Sequence, residues 1–170
     1  MSISVLLLRV MALVGVLLCA VAGITYWPGV ARATPAKDFT SLVLSISNFE
    51  EFDLKTHVGA HKVDISTKGR SDVHMLRNVI APGGHTGWHT HPGPSIVSVK
   101  SGTATLYDGD DPNCTPATFP AGTGFVDKGG EHVHILRNEG SEDLEVFVFS
   151  IVPFEAARRV DAPAPGNCPF

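Results

Sequence analysis

Past residue 52 the chain is built from short runs in which Val, Ile, Leu, Phe and Thr alternate with polar residues: SDVHMLRNVI, TGWHTH, SIVSVK, TATLYD, GFVD, HVHILRN and LEVFVFSIV. A period of two over four to eight residues marks a half-buried strand, and strands at this spacing with turns between them predict an all-β sandwich or barrel. Turns are marked at APGG, HPGP, YDGDDPN, PAGTG and KGG, where glycine admits positive φ and proline presets a negative one. No stretch before Pro153 keeps a helical period. IVPFEAARRV has room for one helical turn, and the proline-rich DAPAPGNCPF after it is expected to run extended over the surface. Residues 34–52 read as an N-terminal arm in which only Leu42 to Ile46 is apolar enough to pair at a sheet edge. The expected organisation is that arm, a barrel over 53–155 and a tail over 156–170.

The first 33 residues break this texture. Arg9 precedes an apolar run from Val10 to Ile24, and the small-residue sequence Ala31-Arg32-Ala33 follows. A basic start, an apolar core and a small-residue site, in that order, predict a secretory signal peptide cleaved after Ala33. VMALVGVLLCAVAGITYW also falls in the range of about 17 to 25 residues that can span a bilayer, so membrane anchoring through residues 5–27 is the competing reading. Either one places the rest of the chain outside the cytoplasm, secreted or membrane-anchored.

A length of 170 residues suits one domain, and 44% hydrophobic with 18% charged residues is a globular composition. The net charge is −4, and losing Arg9 and Arg32 with the leader makes it more negative. With no basic stripe to offset that charge, nucleic acid is excluded as a partner. Of the three cysteines, Cys19 leaves with the leader. Cys114 and Cys168 then predict one disulfide in an exported chain, with two free thiols as the alternative.

Chemistry concentrates in PGGHTGWHTHPGPS, which holds His85, His89 and His91. Alternate residues of a strand share a face, so His89 and His91 point one way, and Trp88 and Thr90 the other. Two imidazoles so placed can converge on one ion at about 2.0 to 2.1 Å from each ring nitrogen. EHVHILRN offers a third from another strand, either His134 or His132. His57, His61 and His74, scattered among polar neighbours, read as residues without a ligand role.

These residues resemble the cupin family. Its first motif, G-x5-H-x-H-x(3,4)-E-x6-G, is matched by Gly83, His89, His91 and Gly102, with Ser95 in the place of the glutamate. Its second, P-x-G-x2-H-x3-N, is visible as Pro120, Gly122, His134 and Asn138, with a longer insertion before the histidine. The resemblance implies a single-domain cupin jelly-roll β-barrel holding one divalent transition metal ion, Fe, Zn, Mn, Ni or Cu, on His89, His91 and His134. Asn138 stands at the motif's distance from His134, which favours it over His132. Serine is two carbons shorter than glutamate and is not expected to reach the ion. Ser95 and Glu131 are the candidates for a fourth ligand, although Glu131 falls on the opposite strand face from His134. His85 and His132 are candidates for contacts around the ligands.

Three neutral imidazoles would leave a divalent ion its full charge and two or three open positions, an arrangement suited to anions and bidentate oxygen donors. The resulting expectation is an exported metal-binding protein, a metal-dependent dioxygenase acting on a small oxygen-donor or anionic substrate. The alternative is a non-catalytic small-ligand binding or sensing module. Catalytic residues are not identified from the sequence. A homodimer is a further expectation. Phosphate-loop, C-x-x-C, H-E-x-x-H and G-x-S-x-G patterns are all missing from the sequence.

Overall fold

The computed structural model describes residues 32–170. The signal peptide or anchor expected over 1–33 therefore lies, but for Arg32 and Ala33, outside the described residues. Among those described, no helix is long and apolar enough to cross a membrane. In chain order the strands are β1 (Lys37–Phe49), β2 (Asp53–Val58), β3 (His61–Ser66), β4 (Ser71–His85), β5 (His89–Thr90), β6 (Ser95–Ser101), β7 (Thr103–Asp108), β8 (Ala117–Pro120), β9 (Gly124–Asp127), β10 (His134–Arg137), β11 (Leu144–Pro153) and β12 (Val160–Asp161).

β2 and β3 pair with each other as a separate hairpin, and the other ten strands form one nearly closed sheet. Its central path runs β12-β5-β10-β4-β11-β6-β9, with β1 on β4 and the β7–β8 pair joined through β10. β4 is long enough to serve both halves. Its first ten residues pair with β11, and its last, His85, faces Arg137 of β10.

Registers across β4, β11, β6 and β9 stack inward-facing residues into rungs. One rung is apolar, Leu76, Val148, Val97 and Phe125, and belongs to the main core with Ile80, Val99, Leu136, Leu144 and Val146. The rung two residues along is polar: His74, Ser150, Ser95 and Asp127. The barrel thus has an apolar floor and a polar mouth.

Gly102, a motif glycine, sits at φ 74°, and a Cβ there would lie 2.9 Å from the Asp143 carbonyl oxygen. Only glycine combines that left-handed turn with so close a backbone approach. Asn138 is buried where β10 ends. Its Nδ2 donates to the carbonyls of Ile80 (2.8 Å) and Glu142 (2.7 Å), and its Oδ1 accepts from the N–H of Gly140 (3.1 Å). It is a turn clamp.

Two sequence expectations are corrected. The arm is a strand: β1 pairs antiparallel with β4 from Lys37 opposite His85 to Phe49 opposite Ser71, with irregularities at Asp38 and Leu44. Backbone pairing along a free sheet edge does not depend on apolar side chains, so the polar flanks of Leu42–Ile46 extend the strand as well as the apolar centre does. The helical turn after β11 is a single backbone turn, closed by the Ala156 N–H on the Pro153 carbonyl (3.0 Å), with Glu155 at φ 60°. A residue at positive φ cannot continue a right-handed helix.

Cys114 and Cys168 form the disulfide, 54 residues apart in sequence. It anchors the tail to a second small core of Trp88, Tyr107 and Ile135. Beyond it Phe170 stacks on Trp88 (centroids 6.5 Å apart) and meets Tyr107 edge-on (5.0 Å), with the Arg137 guanidinium 3.9 Å over its ring.

Candidate metal centre

His89 lies on β5 and His134 directly across from it at the start of β10. His91 sits one residue beyond β5, where Pro92 and Gly93 turn the chain, and its carbonyl accepts from the Gly130 N–H at 2.7 Å. The strand geometry inferred from sequence therefore holds for only two residues, yet the three rings converge, with centroid separations of 4.4, 4.8 and 5.4 Å. All three are buried.

Each ring is oriented by its own Nδ1. That atom faces the carbonyl of Gly87 in His89 (2.9 Å), of Arg158 in His91 (2.7 Å) and of His132 in His134 (3.3 Å). A carbonyl only accepts, so each Nδ1 carries the proton and each Nε2 keeps a lone pair. One nitrogen from each ring lies within 4.8 Å of the others, a group able to hold a metal ion. Burial pushes His89 well below the ordinary histidine range, His91 down to about 4 and His134 down as well. Neutral imidazole, the form that binds metals, is the form this site enforces.

The fourth-ligand candidates part company. Ser95 lines the cavity, but its Oγ is engaged with Ser150 Oγ at 2.7 Å. Glu131 is exposed and outside the cavity lining. His85 also lies outside it, and its Nδ1 accepts from the Gly87 N–H at 3.1 Å, which makes it a turn residue. His132 stands behind the ligands, with Nε2 on Asp108 Oδ2 (2.7 Å) and Nδ1 on Asp127 Oδ1 (3.2 Å). Despite its burial, those two carboxylates raise its pKa.

Asp127, which sequence reasoning passed over, is in the cavity wall and only 3% exposed. Its Oδ2 is buried without a hydrogen-bond partner and lies 3.9 Å from His91 Nε2. A buried, unpartnered carboxylate oxygen 3.9 Å from an imidazole lone pair fits a cation, and Asp127 also forms, with His132 and His134, a second group able to hold one. GFVD reads as an ordinary strand end, and no spacing rule links it to HTH. His74 is also buried, with Nε2 unpartnered.

The cavity measures about 40 Å³. Phe39 of β1, Val97, Phe125 and Val148 form its apolar wall, and Arg158 and Arg159 join the polar one. Arg159 is engaged, with Nε on Asp161 (2.6 Å) and Nη2 on the Thr86 carbonyl (2.6 Å). Arg158 is half-buried, and burial together with the charge of Arg159 lowers its pKa. No carboxylate among the described residues offsets this.

The Cupin domain family model matches residues 76–151, which carry all three histidines. Among solved structures, the polyketide cyclase RemF from Streptomyces resistomycificus is similar at a TM-score of 0.51 and 15% identity, covering 79% of this chain and 80% of that one. An oxalate oxidase is similar at 0.41 and 26%, covering 48% and 46%. The salicylate 1,2-dioxygenase from Pseudoaminobacter salicylatoxidans gives 0.39 and 18%, covering 46% and 20%. The chain thus spans less than half the length of the latter two. No curated protein matches it.

Proposed function

The chain is a single-domain cupin, and on that premise we propose that it is an extracytoplasmic metal-dependent enzyme acting on a small anionic oxygen donor, with dioxygenase chemistry as the reaction class. The carrying observation is the convergence of three imidazoles, one nitrogen of each within 4.8 Å of the others, with every Nδ1 facing a backbone carbonyl. His89, His91 and His134 would hold the ion. Bound there, it would supply Lewis-acid character and open positions for oxygen donors. Arg158 presents the anion's counter-charge at the cavity wall, and a guanidinium suits a planar carboxylate. Phe39, Val97 and Phe125 keep the opposite wall dry.

The second reading is a site that binds a small ligand without turning it over, and a cavity of about 40 Å³ restricts the ligand to a small one under either reading. Export is compatible with either reading, and what supports it is the Cys114–Cys168 disulfide, which suits an oxidising compartment. Partners are a small molecule in the cavity and, as the homodimer contact, a second copy on β1, where Leu42, Val43, Leu44 and Ile46 are about half exposed.

Elemental analysis of protein prepared without added metal tests the centre. Near-stoichiometric metal is expected in the wild type and in His85→Ala and Glu131→Ala, with a sharp loss in His89→Ala, His91→Ala or His134→Ala. A metal-free wild type that also takes up no Co²⁺ removes the reading. Oxygen uptake with a panel of small carboxylates then separates the enzyme from the binding module.

A further inference from the structure

We propose that Asp127 supplies the carboxylate ligand that Ser95 lacks, so that the ion is held by His89, His91, His134 and Asp127; this rests on the metal reading above. In the family pattern the carboxylate projects inward from position 95 on β6. Here that position carries a buried serine that lines the cavity and whose Oγ is bonded to Ser150 Oγ at 2.7 Å. The register of β6 and β9 places Asp127 directly opposite Ser95 on the same inward face. Paired strands lie only about 4.8 Å apart, so the aspartate brings its carboxylate into that region from one strand over.

The orientation of the carboxylate is fixed from behind. Asp127 Oδ1 accepts from the Gly129 N–H (3.2 Å) and sits 3.2 Å from His132 Nδ1, while His132 Nε2 is held by Asp108 (2.7 Å). Oδ2 is left facing His91 Nε2 at 3.9 Å, too far for a hydrogen bond. Two ligand atoms each about 2.1 Å from one ion lie between about 3.0 Å apart when adjacent and about 4.2 Å when opposite, and 3.9 Å falls in that range. The backing by His132 and Asp108 is the support that metal-binding side chains commonly receive.

The assignment changes the chemistry of the centre. A divalent ion on three neutral imidazoles keeps a charge of plus two, and with Asp127 bound it keeps plus one. Coordination room falls to one or two positions. Arg158 then becomes the main fixed positive charge available to an incoming anion.

Co²⁺ affinity, measured by calorimetry and chelator competition on the full folded chain, tests this directly. Asp127→Asn keeps the shape and the acceptor for Gly129 but removes the charge. Its affinity is expected to fall more than about 100-fold, beyond the roughly 10- to 100-fold typical of groups that only support a ligand. Adding Ser95→Glu to that variant returns a carboxylate to the family's position and is expected to recover at least tenfold. A smaller loss in the single variant, or no recovery in the double, overturns the assignment. Should Asp127→Asn fail to fold, a crystal structure of the Zn²⁺-loaded wild type decides: an Oδ2–Zn distance of about 2.0–2.2 Å is expected, and Oδ2 outside the coordination shell refutes it. Wild type that binds no Co²⁺ would sink the metal reading itself, whereas wild type that binds while Asp127→Asn binds equally well sinks this inference alone.

Discussion

A buried imidazole that has given its only proton to a carbonyl resists taking a second, and three such rings make the mouth of the barrel sensitive to acid. Burial lowers the folded-state pKa of His89 and His134, and of His91 to about 4, against an unfolded value of 6.5. Between those limits the unfolded chain binds more protons than the folded one. The stability these rings contribute is therefore complete above pH 6.5 and is lost as pH falls toward 4. His132, whose pKa is raised, has the opposite sign, and its contribution fades as pH rises above 6.5. His74 and His85 are lowered too, and five rings against one predict that the melting temperature of the metal-free protein falls from pH 6.5 to 4, measurable by calorimetry, and a flat profile would refute it. At pH 7 a Co²⁺ concentration 100 times its Kd should add about 2.7 kcal/mol. The three histidines were legible because their spacing runs along the chain. Asp127 was not, because its place opposite Ser95 depends on a pairing between β6 and β9 about thirty residues apart, and pairing is not written in either strand alone.

At the scale of elements, the turn after β10 is held by a single side chain. Asn138→Ala leaves the Ile80 and Glu142 carbonyls and the Gly140 N–H without their partner. Losing one buried bond and two at the exposed turn should cost on the order of 2 kcal/mol in urea unfolding. His134 lies on the strand this turn terminates, so metal affinity should fall with it. Asn138 was visible in the sequence as a motif letter, and the structure supplies its physical role. The alternation of apolar and polar residues foresaw the barrel strands but understated β1. Pattern reading registers burial, and most of β1 is exposed while its backbone is paired from end to end but for Asp38 and Leu44. The turn at Glu155 departs from the single helical turn the segment had room for because Glu155 takes a positive φ, which its sequence does not announce.

Over the whole molecule, the disulfide ties the last turn of chain to the loop after β7. Closing a loop of 54 residues is worth about 4 kcal/mol on the chain-entropy account. Cys168→Ser should lower stability by an amount of that order in denaturant unfolding, and a loss below about 1 kcal/mol would show that the tail holds itself by Phe170 packing. The barrel class followed from sequence because many weak strand signals agree. The site's shape did not, since it depends on how one sheet curls until Phe39, Arg158 and the three histidines share a cavity.

The placement of Trp88 has one more consequence. It directly precedes His89 and points away from it into the small core beneath Phe170, and it is the only tryptophan among the described residues. The described residues therefore carry a single tryptophan, bonded through the backbone to a proposed ligand and shielded from solvent. An open-shell ion such as Co²⁺ at His89 should quench its emission stoichiometrically, while closed-shell Zn²⁺ should occupy the same place and leave it bright. The protein can report optically, without a label, which kind of metal it holds.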